Sequence, residues 1–549
     1  MDEPLVAELE QTILDQMERD ELTGLTIALV RDDAIAWSNG YGAKHVESGE
    51  PLATDTPFSV QSVTKTLIAT ALMQLHDQGH FDLDDLANQH LAPVLIENQW
   101  DAERPVTIRH LLTHTSGLPV MNFGGQGGKL PLDEYVAATA RCERPPGEAI
   151  IYANTGFDAA GVLIERFSGQ PVDDYLQTHI FGPLAMHSTA LANPTEGTSY
   201  ASGHFRSFID GKVRPLPLPD WASEPPSPSG ACWSTVEDLS RFLIAHLNGG
   251  APILSPGTTA EMHRLHAAQG ASRSGMGLGF RVTYSNGQRM ICHGGDGNGF
   301  TAFVAGYPDE GVGAALLINS AGAQTARSVI GNTALALLAG KPPARHLASA
   351  PLAPGMYRST YWDIEAEARN DDSPVLTCTE GLVVRDDPTE SQLLATPDGR
   401  LEGSGGMFHG FEVELDGTNP QQITGGLYPF TFVRQGDISE HAGKVDENAV
   451  LTGTWIGTSR TPLGPLAARL AIQSGGAATV TTPLSGERQL DHLRAQSGLV
   501  SGEFSLTVPG VGEHRCFVRL TAVGGMLAGK IYARGPFGEA AMPTELERQ

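Results

Sequence analysis

The run Lys341-Pro342-Pro343-Ala344-Arg345-His346-Leu347-Ala348-Ser349-Ala350-Pro351 divides the chain into two textures that cannot share one architecture. Prolines fix φ and remove backbone donors, so such a stretch joins folded units and does not sit inside one. Ahead of it, over residues 1–340, helical and strand patterns are mixed. Residues 2–21 read as a helix, 25–30 with 34–38 as a strand pair, and 106–114, 156–167 and 237–247 as helices. Residues 301–307 and 314–319 read as late strands. Behind the linker, short β runs broken by Gly, Asp and Asn carry almost no helical period. That tail starts twice. Gly355-Met356-Tyr357-Arg358-Ser359-Thr360 and Gly453-Thr454-Trp455-Ile456-Gly457-Thr458 share a Gly-x-aromatic-x-small-Thr pattern, and the polar stretch 435–447 divides them. The expected domains are 1–340, 352–436 and 448–549, the last two being small antiparallel β-barrels or compact sandwiches. A chain of 549 residues is long enough for such a division.

Within the mixed part, Ser62-Val63-Thr64-Lys65 places a hydroxyl and an amine on one helical face. Apolar residues at Ile68, Ala71, Leu72 and Leu75 follow the i, i+3, i+4, i+7 pattern of a half-buried helix, and Gly79 stops it. At the helix start, free N–H groups and the positive dipole end favour a developing oxyanion. Lys65 can hydrogen-bond the Ser62 hydroxyl and take its proton, which makes an activated nucleophile. Alone the motif says little, since Ser and Lys are common residues.

Three further segments strengthen it. Tyr152-Ala153-Asn154 follows the turn Pro145-Pro146-Gly147-Glu148 and precedes a helix. A phenol near a Ser/Lys pair can relay protons, and the Asn154 amide can hold a substrate carbonyl; the plain alternative is a packed core tyrosine. His293-Gly294-Gly295-Asp296 lies between two strands, where the glycines let a substrate backbone lie against the edge. The Asp296 N–H would then supply a second oxyanion donor beside that of Ser62. The alternative is an ordinary glycine hairpin with an exposed His. The third segment is His110-Leu111-Leu112-Thr113-His114-Thr115-Ser116-Gly117-Leu118.

Together these residues resemble the penicillin-recognising serine hydrolases related to class C β-lactamases, which include esterases, D-aminopeptidases, D-amino-acid amidases and DD-carboxypeptidases. The family order is S-x-x-K, H-x-S-G-L, P-G-x4-Y-x-N-x-G, P-L-G-M, then K-T-G or H-x-G. Here it is Ser62/Lys65, His114-Thr115-Ser116-Gly117-Leu118, Pro146-Gly147 with Tyr152/Asn154/Gly156, Pro183-Leu184-Ala185-Met186, and His293-Gly294-Gly295. Ala185 stands where the family usually has Gly, read here as a packing variation. The resemblance covers roughly residues 8–325. It implies a β-lactamase-like α/β domain with an antiparallel sheet flanked by helices. It also implies Ser62 as acylated nucleophile, Lys65 as its proton partner, Tyr152 as general base with Lys65, Asn154 as substrate-orienting amide, and His293 with Gly294 and Gly295 as the wall strand. The double β plan of the tail resembles that of the D-aminopeptidases, with lipocalin-like barrels.

A histidine is mostly neutral near neutral pH, whereas the Lys of K-T-G is a fixed cation suited to a substrate carboxylate. Peptides, amides and esters are therefore expected ahead of β-lactams and C-terminal D-Ala substrates. The leading expectation is a peptidase or amidase, similar to the D-aminopeptidases or to the peptidase that cleaves linearised microcystin. A carboxylesterase is the runner-up, and a binding module on a dead hydrolase scaffold stands apart from both.

Other chemistries find little support. The net charge of −27 argues against nucleic acid as partner. No run of about 18 apolar residues suggests a membrane span, and the acidic start Met1-Asp2-Glu3 lacks the apolar core of a signal peptide. Five widely spaced cysteines without C-x-x-C read as reduced and buried, which points to the cytoplasm; the periplasm or secretion fits if a signal has been removed. Gly124-Gly125-Gln126-Gly127-Gly128-Lys129-Leu130 misses the P-loop spacing and reads as a loop. His110/His114 and His263/His266 lack the partners of a metal site, so neither metal nor cofactor is expected. The partner is a small peptide, amide or ester, and homo-oligomerisation is left open.

Overall fold

The structure is a computed structural model. It describes residues 3–119, 130–195, 199–207, 211–218, 227–268, 273–285 and 287–341. Beyond these it describes the backbone of strand segments within 345–436, residue 446, and most of 449–549, where 462–463, 475–476, 484, 509–511, 524 and 536–537 are excepted. The glycine loop expected at 124–129 lies outside the described residues.

An antiparallel sheet of eight strands organises the first part. From one edge the strands are Ala34–Gly42, Gly24–Arg31, Val312–Ile318, Phe300–Tyr307, Gln288–Gly297, Arg281–Ser285, Gly275–Met276 and Ala267–Ala268. Its central strands are near-continuous apolar runs, and Phe300–Tyr307 and Val312–Ile318 are buried throughout. An antiparallel sheet with one wet face would alternate; this one is covered on both sides. In register, Ile27 and Phe303 both pair with Leu316. These residues, with Leu25, Leu29 and Tyr307, pack under the chain's first helix, Glu3–Arg19, and the helix Gln324–Leu338. The opposite face, with Ala28, Ala302, Val304 and Leu317, joins a larger core built on the helices Thr64–Asp77, Asn154–Ser168 and Val236–Leu247. The result is a three-layer α/β/α domain.

The amphipathic reading of the helix Thr64–Asp77 needs correcting. Every residue from Thr64 to Leu75 is buried, not one stripe. Its polar residues survive there because Thr66 and Thr70 donate their hydroxyls to the Val63 and Thr66 carbonyls, both at 2.8 Å. The helix expected over 106–114 is shorter, Ile108–Leu112. His114 adopts a left-handed φ of 56° and its carbonyl accepts from the Ile151 N–H at 2.7 Å, so the chain turns there. Gly117 completes the turn: its φ is 75°, and a Cβ would lie 2.0 Å from the Arg144 carbonyl oxygen. Ala185 also has a positive φ, 53°. The glycine usual at that place thus answers a left-handed backbone and not packing.

The tail holds two further antiparallel sheets. In the last, successive strands are neighbours from Gly453–Thr461 to Gly486–Gln489 and from Asp491–Gln496 to Gly538–Arg548, and the first pairs with the last through Trp455↔Arg548 to Ser459↔Thr544. Its two ends, Gly486–Gln489 and Asp491–Gln496, are consecutive in sequence, which leaves a nearly closed barrel. Trp455, Leu470, Phe504, Val518 and Leu546 fill it. In the sheet before it, Gly355–Ser359 likewise pairs with that sheet's last strand, Thr431–Gly436. Each Gly-x-aromatic segment thus begins a strand that pairs with the last strand of its sheet. Among the described residues no helix is long and apolar enough to cross a membrane.

Candidate active site

Ser62 sits in a tight turn, Gln61–Val63, that runs directly into the helix Thr64–Asp77. The helix start expected at Ser62 therefore falls two residues later. Gln61, at φ 50°, gives the turn its bend. Backbone and hydroxyl bonds clamp it: Val60 N–H donates to the Cys232 carbonyl at 2.9 Å, and Thr64 Oγ1 donates to the Gln61 carbonyl at 2.6 Å. Ser62 itself is half-buried.

Lys65 is wholly buried, and its Nζ lies 3.0 Å from Ser62 Oγ and 2.5 Å from the Ser229 carbonyl oxygen. The Ser229 segment is held in turn by Asp158, whose Oδ1 accepts from the Ser229 N–H at 3.1 Å and from Ser227 Oγ at 2.8 Å. Burial pushes the Asp158 carboxyl up, against the pull of those hydrogen bonds and of the Lys65 charge. Lys65 thus has fixed acceptors and almost no freedom to leave the hydroxyl.

Tyr152 and Asn154 flank the start of the helix Asn154–Ser168 and are both half-buried. Lys65 Nζ lies 5.0 Å from the Tyr152 ring centroid and 5.8 Å from that of Phe157. His114 stacks on Tyr152 with centroids 4.2 Å apart, and His293 lies 6.2 Å from Tyr152. The two histidines carry opposite tautomers. His114 Nδ1 accepts from the Ala153 N–H at 3.0 Å, so its proton is on Nε2. His293 Nδ1 donates to the Gly294 carbonyl at 2.7 Å, which leaves Nε2 as an acceptor. Burial pushes both rings well below the usual histidine range; nearby cations, including Lys65 and Arg281, add to this. Both are neutral, and among the described residues neither Nε2 has a hydrogen-bond partner. The same holds for Asn154 Oδ1, which leaves that acceptor available beside Ser62's helix.

The wall strand, Gln288–Gly297, pairs with Arg281–Ser285 only as far as Cys292, so residues 293–297 have one open edge among the described residues. The hairpin with an exposed His is contradicted, because His293 is wholly buried. The two glycines answer close packing. A Cβ on Gly295 would lie 2.1 Å from the Val60 carbonyl oxygen and 3.1 Å from Ser62 N. On Gly294 it would lie 2.8 Å from Arg327 Nη1. Asp296, one residue beyond the contact with Ser62's turn, extends its side chain to Arg327, 2.6 Å from Oδ2 to Nη1.

The structure brings Ser62, Lys65, Tyr152, Asn154, His293, Gly294, Gly295 and Asp296 to one place. The sequence reasoning missed Ser229, Asp158 and Arg327, which carry no motif, and gave no role to His114 although its segment was noticed. No group of three His, Cys, Asp or Glu side chains among the described residues is placed to hold a metal ion.

Comparison with known proteins agrees with this geometry. The family model described as Beta-lactamase matches residues 9–338. Penicillin-binding protein 4 of Amycolatopsis lactamdurans is 31% identical over 294 residues, covering 51% of this chain and 76% of that protein. The unguisins hydrolase ungD' of Aspergillus campestris is 26% identical over 329 residues, covering 56% of this chain and 60% of that protein. The octameric penicillin-binding protein homologue from Pyrococcus abyssi superposes with a TM-score of 0.56 at 24% identity, over 79% of this chain and 100% of that one, a likeness of fold. The chain belongs to the Beta-lactamase family, whose members are serine hydrolases.

Proposed function

We propose that the protein cleaves peptides or amides through an acyl-enzyme on Ser62. The observation that carries this reading is the buried Lys65 amine held 3.0 Å from the half-buried Ser62 hydroxyl. As Ser62 Oγ attacks a substrate carbonyl carbon, its proton passes to the Lys65–Tyr152 pair and then to the departing amine. The backbone N–H groups of Ser62 and Asp296 receive the oxyanion. Asn154 orients the acyl group, and the open edge at 293–297 receives the substrate backbone. Water then attacks the acyl-enzyme, giving its proton to the same pair, and Ser62 leaves as the free hydroxyl.

An ester is the second reading, favoured by the neutral His293 at the wall, which imposes no anionic group on the substrate. The relatives' names point both to penicillin binding and to hydrolysis, and by analogy with the octameric neighbour self-association is part of the proposal. The regions 352–436 and 448–549 act as separate domains that shape access to the cleft and perform no chemistry.

The test is a panel of D- and L-aminoacyl anilides, an activated ester and a β-lactam, run on wild type and Ser62→Ala. Anilide and ester turnover should vanish in the variant, with the β-lactam the poorest wild-type substrate. Residual activity above about one part in a thousand would remove Ser62 as sole nucleophile.

A further inference from the structure

The ion pair behind the wall strand is asymmetric. Arg327, on the helix Gln324–Leu338, is 4% exposed, whereas the Asp296 side chain is 37% exposed, one residue beyond the strand's contact with Ser62's turn. The guanidinium lies under Gly294 so closely that a Cβ there would sit 2.8 Å from Nη1. Its Nε has no partner among the described residues. A cation so placed, one residue from the point where the strand touches Ser62's turn, would ordinarily attract a carboxylate on the substrate. Asp296 already supplies one. Its carboxylate also presents negative charge where a substrate anion would have to lie, and like charges at a binding face discriminate strongly.

We infer that Asp296 is a specificity determinant: by occupying Arg327 it makes the cleft reject substrates with a carboxylate near the scissile bond and accept their neutral counterparts. The inference rests on the reading of Ser62 as nucleophile and goes beyond it, because it assigns the discrimination to a particular pair. His293 contributes by being neutral; Arg327 and Asp296 set the sign. The side chain of Asp296 acts through Arg327, while its backbone N–H is untouched by substitution.

The experiment uses two thioesters with the same N-acylglycyl group, one releasing thioglycolate with its free carboxylate and one releasing the methyl ester of thioglycolate. Wild type should favour the neutral member in kcat/KM by about tenfold or more. Asp296→Asn should shift that ratio toward the anion by about tenfold or more, because the buried guanidinium is then uncompensated and a substrate carboxylate can pair with it. Adding Arg327→Met to Asp296→Asn should bring the ratio back to a value between the two, because the attracting cation is then gone while the repelling carboxylate stays absent, and this double variant leaves no buried charge to unfold the domain.

A second readout is independent of turnover. Acetate should raise the melting temperature of Asp296→Asn and leave wild type and the double variant unmoved. An unchanged ratio in folded Asp296→Asn, or a shift that is undiminished without Arg327, overturns the inference. If wild type cleaves neither thioester, the nucleophile reading fails, and the acetate response alone then decides whether Asp296 masks Arg327. A merely structural role for the pair would lower both rates together and leave the ratio in place.

Discussion

Gly295→Ala adds one methyl group at the most sensitive contact in the molecule. Its Cβ would fall 2.1 Å from the Val60 carbonyl oxygen, 3.0 Å from Gln61 Cβ and 3.1 Å from Ser62 N. Carbon–oxygen contacts settle at about 3.3 Å or more, so strand and turn must separate by roughly 1 Å. The turn cannot yield freely, since Val60, Gln61 and Thr64 are bonded to Cys232 and to one another. Such overpacking costs about 1–3 kcal/mol of stability. The functional effect is larger: misplacing a reacting group by about 1 Å costs about 10²-fold in rate. Gly294→Ala is the control, because its first contact is the end of the Arg327 side chain and not the nucleophile's turn. Its loss should stay below about tenfold. The assay is kcat/KM on an activated ester with thermal melting of both variants. If Gly295→Ala turns over within about threefold of wild type, the strand does not position Ser62 and the account of the wall is wrong.

Lys65→Ala and Tyr152→Phe should each lower kcat/KM by at least about 10²-fold, and the double variant should lose less than the product of the two; full additivity would mean that they share no proton network. Burial holds His114, His246 and His293 well below the usual histidine range and His263 at about 3. In the unfolded chain they titrate near about 6.5, so below that value the unfolded state binds more protons. Stability should be level above about pH 6.5 and fall below it, by up to about 1.4 kcal/mol per pH unit for each ring. Urea midpoints at about pH 7.5 and pH 5.5 check this, and equal midpoints would show the rings protonated in the fold. A fragment ending near Gly340 should fold, react with a serine-directed probe and cleave small esters with a broadened preference for peptide length, since the described hydrophobic clusters of the two parts do not mix; soluble fragment that does not label would show that the tail helps to build the site.

The legible part of this protein was the part written in local chemistry. Ser62/Lys65, Tyr152/Asn154 and His293–Asp296 each announce themselves by residue type and spacing, and the long periodic segments gave helices and strands within a few residues of their ends. The Gly-x-aromatic segments at Gly355 and Gly453 each begin a strand that pairs with the last strand of its sheet. What failed was written in tertiary contact. The helix behind Ser62 carries threonines and Lys65 on faces that a helical wheel leaves to solvent, yet all are buried because their hydroxyls and amine find acceptors. The turn at His114 looked helical because apolar periodicity does not reveal a left-handed residue. The glycines at 294 and 295 read as room for a substrate, and the sequence did not show that they also make room for Arg327 and for the nucleophile's own turn. Ser229 and Arg327 had no signal at all, since each reaches the site from a distant segment through one side chain or one carbonyl.

The central claim is that Ser62 forms the covalent intermediate. Full-length protein treated with a fluorophosphonate, and separately quenched with acid during turnover of an activated ester, should gain the mass of one phosphonyl or one acyl group. Peptide mapping should place that mass on Ser62, and the adduct should be absent from Ser62→Ala. An adduct on any other residue, or undiminished labelling of the Ser62→Ala protein, would contradict the account.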